Sequence, residues 1–142
     1  MKKHRLLLSC CLAGYGLVWL PAAYAEIAVI VNPANTSTTQ AADVQRIFLG
    51  KSKSFPGGGE AMPFNLKDGN ASRGVFDQGI LNKNASQVKA YWSQLVFTGK
   101  GSPPKDAADD EEMKKWVAAN ANAIGYIDAG KVDGSVKVLF KQ

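Results

Sequence analysis

Cysteine and histidine are scarce in this sequence, and all of them lie near its start. The cysteines are Cys10 and Cys11, and the single histidine is His4. Residues 26–142 therefore contain no disulfide, no thiol nucleophile and no imidazole for acid–base or zinc chemistry. No paired carboxylates with a defensible catalytic spacing stand out either. We expect a non-enzymatic protein with no catalytic residues, no metal site and no cofactor.

The first 25 residues have the pattern of a secretory signal peptide. A basic start is followed by an apolar stretch at residues 6–20 and by a small-x-small cleavage pattern at residues 23–25. The apolar stretch is shorter than the roughly 20 residues that span a bilayer, so we expect no retained membrane anchor. Cleavage after Ala25 would leave residues 26–142 as a single α/β domain.

Loss of this leader also lowers the positive charge. The full chain has 17 basic and 12 acidic residues, a net charge of +5. Three of the basic residues lie in the leader, so 14 remain against the same 12 acids and the net charge falls to +2. That balance is too weak to indicate nucleic acid or an acidic membrane surface as a partner.

Hydrophobic patterning predicts strands and helices in alternation. Apolar runs predict strands at residues 27–31, 61–64, 123–127 and 136–140, and helical spacing predicts helices within 41–48, 75–80, 88–96 and 113–117. This order favours an α/β fold with a mixed, mostly parallel sheet of about four strands flanked by about four helices. Lys137 interrupts the last apolar run, which is typical of an edge strand.

An acidic run between Asp106 and Glu112 precedes the fourth predicted helix. Its five carboxylates lack the alternation and the central glycine of a calcium-binding loop. Acidic side chains stabilise a helix when they lie in its first turn, near the positive end of the dipole. We therefore expect this run to begin the fourth helix.

The segment Asp68–Arg73 joins the second predicted strand to the second predicted helix. Gly69 permits a tight turn, and Asn70 is a favoured helix cap. Ser72 offers a hydroxyl and Arg73 a guanidinium suited to phosphate or carboxylate. Two interpretations stay open: an ordinary capped helix with a solvated arginine, or an anion site at a helix start. The candidate anion-binding residues are Asn70, Ala71, Ser72 and Arg73.

Four segments, taken in chain order, resemble motifs of the phosphate-type substrate-binding proteins of ABC transporters. Arg46–Lys51 resembles their "IFxGK" helix end, and Asp68–Arg73 stands where they have Asp-Gly-Ser-Gly-Thr. Tyr91-Trp92 and Ala121–Tyr126 resemble their "yW" and "NPGAIGY" segments. The resemblance extends over residues 27–127, nearly the whole of the chain after the leader.

This resemblance implies a single lobe of a type 2 periplasmic-binding-protein fold, a bacterial periplasmic location, and phosphate or a similar oxyanion as ligand. Members of the family normally have two lobes and more than twice this length. The phosphate turn also departs from the pattern, because Asn70, Ala71 and Ser72 stand where the family has Ser-Gly-Thr. Leu66 stands near the family's upstream arginine, to which Arg73 is adjacent but not equivalent. We therefore expect weak binding.

Two functions follow from these observations. The first is a periplasmic protein for small anions of the phosphate type, whose binding is weak or depends on a partner or a homodimer in place of the missing lobe. The alternative is an envelope accessory module that keeps the fold but docks on a transporter, a porin or a larger assembly without binding phosphate.

Overall fold

A five-stranded mixed sheet organises residues 26–142, the part of the chain that this computed structural model describes. The strands are β1 (Ile27–Val31), β2 (Met62–Leu66), β3 (Lys105–Ala107), β4 (Ala123–Asp128) and β5 (Lys137–Lys141). Their spatial order is β3-β2-β4-β1-β5. Strand β2 pairs in parallel with β3 and β4, whereas β1 pairs antiparallel with β4 and β5. The predicted signal peptide, residues 1–25, lies outside the described residues.

The predicted α/β class is confirmed, with five strands rather than about four. Strand β3 was not predicted, because it has only three residues and no apolar run: Lys105 and Asp106 are exposed. Strand β5 lies at an edge of the sheet, as Lys137 indicated. Strand β1 is buried along its whole length, which agrees with its uninterrupted apolar sequence.

Four α-helices flank the sheet. They are α1 (Ala41–Phe48), α2 (Ala71–Phe76), α3 (Ala85–Phe97) and α4 (Asp110–Ala119), with a π-helical turn at Asp77–Leu81 directly after α2 and a 3₁₀ turn at Ala129–Lys131. The second predicted helix is therefore an α-helical turn that widens into a π-helix, which sequence spacing did not reveal. No helix within residues 26–142 is both long and apolar enough to cross a membrane.

Side-chain caps fix where α3 and α4 begin. The Asn84 side chain accepts a hydrogen bond from the Gln87 backbone amide, and the Gln87 side chain accepts one from the Asn84 backbone amide. Asp109 caps α4 by accepting from the Glu112 amide at 2.8 Å. The expectation that the whole acidic run begins this helix is wrong for Asp106. This residue lies in β3, because the backbone there pairs with β2 before the helix starts.

An aromatic cluster joins the helices to the centre of the sheet. The Tyr126 ring of β4 stacks on Phe76 of α2 with centroids 3.9 Å apart, and Phe48 of α1 meets Phe76 edge to face at 4.7 Å. All three side chains are almost completely buried. Aromatic pairs of this geometry add about 0.5–1.5 kcal/mol beyond area burial. The cluster holds α2 against β4 and so positions the turn that precedes α2.

Candidate functional site

The turn between β2 and α2 has the geometry that its sequence predicted. Gly69 has φ 87°, in the region that favours glycine, and Asn70 is extended with φ −67° and ψ 133°. The Asn70 side chain accepts a hydrogen bond from the Ser72 amide at 2.9 Å. Asn70 is therefore the helix cap, and it uses one of the amides that an anion would otherwise find free.

The four predicted site residues differ in their access to solvent. Ala71 is exposed, Asn70 is half-buried, and Ser72 is 5% exposed. Arg73 keeps 15% of its side chain exposed, and of the four only Arg73 lines a cavity of about 670 Å³ beside the turn. Arg73 thus lines this cavity, whereas Asn70, Ala71 and Ser72 do not.

The Arg73 guanidinium is held by few close contacts. Nη1 donates to the Leu66 carbonyl at 2.9 Å and lies 3.5 Å from Oδ1 of Asp106, while Nε lies 3.7 Å from Oδ2 of Asp77. Hydrogen bonds between ionised groups are usually about 2.7–2.9 Å long, so both carboxylates are too far for strong ones. Among the described residues, Nε has no hydrogen-bond partner. Nε is itself buried, so only the terminal nitrogens of the guanidinium could meet a ligand.

Asp77 is a buried carboxyl behind this arginine. Its residue is 2% exposed, and Oδ1 finds no hydrogen-bond partner within residues 26–142. Burial raises its pKa from 3.8 to about 6; Arg73 acts in the opposite direction, and the Asp68 charge raises the pKa further. Near neutral pH the arginine consequently has an ionised carboxylate behind it, and mild acid removes that charge.

A buried polar network anchors the end of β2 beneath the turn. The Tyr126 hydroxyl donates to Oδ1 of Asn65 at 2.6 Å and accepts from the Leu66 amide at 3.2 Å. Burial raises the pKa of the Tyr126 hydroxyl, so it stays protonated and can serve as this donor. The network fixes Leu66, whose carbonyl holds Arg73.

The lining of the cavity beside Arg73 is part polar and part apolar. Its polar residues Asn65, Asp68, Arg73 and Asp106 come from β2, the turn, α2 and β3, whereas α3 contributes Val88, Trp92, Val96 and Phe97, and Pro103 and Pro104 precede β3. Lys89 adds a second cation from α3. No group of three or more His, Cys, Asp or Glu side chains in the described part of the chain is placed to hold a metal ion.

Several of these residues were not found from the sequence. Asp77 lies four residues after Arg73, a spacing that puts two residues on one helix face, so helical periodicity could have indicated the pair. Asp106 gave no such signal. It is the register partner of Asn65 in the parallel pairing of β2 with β3, and only that pairing brings it to Arg73.

The segments that carry the family resemblance contact one another. The Tyr91 hydroxyl donates to the Leu49 carbonyl, which joins the "yW" segment to the "IFLGK" segment. A Cβ on Gly50, whose φ is 71°, would lie 3.0 Å from the Trp92 ring, so this glycine lets α3 approach closely. Tyr126 of the "AIGY" segment stacks on Phe76, just after the turn.

Solved structures of transport proteins share this fold. An ABC-type phosphate transport receptor from Vibrio cholerae aligns with a TM-score of 0.61 and 20% identity, over 80% of this chain and 46% of its own. A protein from Clostridium perfringens, assigned as a phosphate ABC transporter substrate-binding protein and solved with bound phosphate, aligns with a TM-score of 0.60 and 26% identity, over 80% of this chain and 44% of its own. A protein from Planctomyces limnophilus, assigned as phosphate-binding, aligns with a TM-score of 0.57 and 17% identity, over 80% of this chain and 41% of its own.

Comparison of sequences alone does not identify a relative of this chain. No protein-family model matches the chain, and no curated protein matches it significantly. The chain spans less than half the length of each of the three structures. The predicted resemblance is nevertheless confirmed at the level of the fold: over most of residues 26–142 the chain has the α/β fold of phosphate ABC transporter substrate-binding proteins, as expected of a single-lobe member.

Proposed function

We propose that this chain is an exported periplasmic protein that binds a small oxyanion of the phosphate type. Residues 1–25 would act as its signal peptide, with cleavage after Ala25. The observation that carries the proposal is Arg73, which lines the cavity and whose two carboxylate neighbours lie too far away for strong hydrogen bonds. The fold supports it, because one of the neighbours named above is described as a phosphate transport receptor and another was solved with phosphate bound.

In this proposal the guanidinium is the main anion contact. Its planar fork matches two oxygens of a tetrahedral oxyanion. Asn70, Ala71 and Ser72, which were predicted with it, do not line the cavity and would add at most weaker contacts. The Ser72 hydroxyl is the side chain that matches the family's turn, although its residue is buried. Because the cavity is open to water, charge interactions there are screened. We expect a dissociation constant between micromolar and millimolar, roughly 8 to 4 kcal/mol of binding free energy.

Acidic neighbours should favour an oxyanion that still carries a proton. Asp68 and Asp106 line the same cavity as Arg73. Carboxylates repel a fully ionised oxyanion, whereas they can accept a hydrogen bond from a protonated one. Phosphate keeps a proton at neutral pH and sulfate does not. We therefore expect phosphate to bind more tightly than sulfate.

Thermal denaturation with and without phosphate tests the proposal. Phosphate at about 100 times its dissociation constant should add about 2.7 kcal/mol of stability, whereas sulfate at matched ionic strength should add less. Arg73→Ala should lose the phosphate effect, and Arg73→Lys should lose most of it because the fork geometry is gone. Arg46→Ala, which removes an exposed arginine of α1, is the matched control. No effect of tens of millimolar phosphate beyond that of sulfate would refute the proposal.

The comparisons do not favour the docking-module alternative. Its expected partners were a transporter, a porin or a larger envelope assembly. The structural neighbours are described as transport substrate-binding proteins and not as enzymes. We accordingly propose binding without a catalytic step.

A further inference from the structure

The cavity beside Arg73 is much larger than an inorganic oxyanion. Its volume is about 670 Å³, within the roughly 300–1,000 Å³ that is usual for sites of organic ligands. A water molecule takes about 30 Å³ of liquid volume. An ion of five heavy atoms would therefore fill only a small part of this space and would leave most of the cavity wall in contact with water.

The wall of the cavity that α3 contributes is largely apolar and poorly covered. Helix α3 buries only Val88 and Trp92, whereas Val96 is 53% exposed and Phe97 is 92% exposed. Large apolar side chains grouped beside a concave surface mark a site where something apolar binds. Pro103 and Pro104 extend this wall without adding a side-chain charge.

Charged groups occur only on part of the lining. Arg73 and Asp106 lie together with Asp68 on the side of the turn, and Lys89 comes from α3. Two cations thus balance two carboxylates, so the site has no strong overall charge. A small anion would gain little from long-range attraction, and further affinity must come from apolar contact. A few convergent polar groups set in an apolar wall are typical of a site for an amphipathic organic molecule.

We propose that the ligand of this cavity is an organic phosphomonoester, with its phosphate on Arg73 and its apolar group against Trp92, Val96 and Phe97. This inference rests on the proposed function, because it places the same oxyanion on the same arginine. It goes further by naming the ligand class and by assigning the specificity to α3. Inorganic phosphate is then a fragment of the preferred ligand.

Isothermal titration calorimetry of the purified protein, expressed from the full sequence, tests the inference at about pH 5. At that pH a phosphomonoester, whose second pKa is about 6, keeps the proton that the carboxylates of the cavity favour. The probes are inorganic phosphate, methyl phosphate, phenyl phosphate and phenol. Phenyl phosphate should bind at least tenfold more tightly than methyl phosphate, because its ring is withdrawn from water against the apolar wall, and a tenfold change equals about 1.4 kcal/mol. Phenol should bind far more weakly than phenyl phosphate, since it lacks the anion.

Two variants locate the effect. Phe97→Ser should reduce the phenyl-over-methyl affinity ratio at least threefold, and Phe97 is so exposed that the fold should persist. Arg73→Ala should weaken both esters. Met62→Ser changes another exposed apolar residue, which lies outside this cavity. It should alter neither the phenyl-over-methyl affinity ratio nor the affinity for inorganic phosphate.

The outcomes separate the two proposals. Equal affinity for methyl and phenyl phosphate would overturn the ester inference and leave oxyanion binding intact. Binding of none of the phosphate probes would refute the proposed function together with the inference. A phenyl preference unchanged by Phe97→Ser, or phenol binding as tight as phenyl phosphate, would also overturn the inference. Tight phenyl phosphate binding that both Arg73→Ala and Phe97→Ser weaken would support it.

Discussion

Arg73 is positioned chiefly by a backbone carbonyl and not by a tight ion pair. Its hydrogen bond to Leu66 is 2.9 Å long, while the carboxylates of Asp77 and Asp106 lie 3.5–3.7 Å away. A short bidentate carboxylate pair would occupy the donors that an oxyanion needs. At the longer separations the guanidinium has no strong carboxylate pair that a ligand would need to displace.

Asp77 gives the fold a specific pH dependence. Because its pKa is raised from 3.8 to about 6, the native state holds this proton more tightly than the unfolded chain does. The associated stability is fully present below about pH 4 and is lost as the pH rises through about 6. In Asp77→Asn that loss is absent, so stability relative to the parent should rise by up to about 3 kcal/mol between pH 4 and 7.

Urea unfolding at several pH values measures this difference. Glu60→Gln, which neutralises an exposed carboxylate on another part of the surface, serves as the control and should follow the parent. Parallel stability curves for Asp77→Asn and the parent across this range would contradict the assignment.

Tyr126 also has a testable role, because its hydroxyl satisfies two buried polar groups. Tyr126→Phe leaves the Asn65 side chain and the Leu66 amide without their buried partner. Leaving buried polar groups unsatisfied costs about 1–3 kcal/mol, which chemical denaturation can measure. Tyr91→Phe, whose side chain is only partly buried, should cost less because water can replace its hydroxyl. Equal losses in the two variants would argue against a buried network at Tyr126.

At the scale of elements, helix α4 and strand β4 approach each other at a single glycine. A Cβ on Gly125 would collide with Sδ of Met113. Overpacking of a core costs about 1–3 kcal/mol, so Gly125→Ala should destabilise the protein by that amount. Met113→Ala alone should also destabilise it, by about 2–5 kcal/mol, because it leaves a cavity.

A double-mutant cycle checks this packing. The Gly125→Ala/Met113→Ala variant should lose less stability than the sum of the single losses, because the truncated methionine leaves room for the new methyl group. Additive losses would show that the two residues do not compete for the same space.

At the scale of the whole molecule, residues 26–142 share one sheet and one hydrophobic core. We predict that this part of the chain unfolds in a single cooperative transition without a second lobe. Far-ultraviolet circular dichroism and the fluorescence of Trp92 and Trp116 should give the same midpoint in urea. Since the range contains no cysteine, a reductant should leave that midpoint unchanged. Separate midpoints for the two probes would contradict the single-core description.

Local signals in the sequence were sufficient for most elements. Asn84 and Asp109 begin their helices through hydrogen bonds within three residues, and β1 follows from an uninterrupted apolar run. The turn at Asn70 is local in the same sense. Strand β3 has no apolar run of its own and forms because β2 offers it a parallel edge, so no local pattern could reveal it.

The sequence by itself determined the α/β class, the helix starts and the order of the family-like segments, because short-range hydrogen bonds and apolar periodicity govern them. Only the tertiary structure decided that Asp106 lies beside Arg73, that Asp77 is buried behind it, and that α3 lines the same cavity with apolar side chains. These features depend on long-range strand pairing and helix packing, whose energies come from groups far apart in the chain.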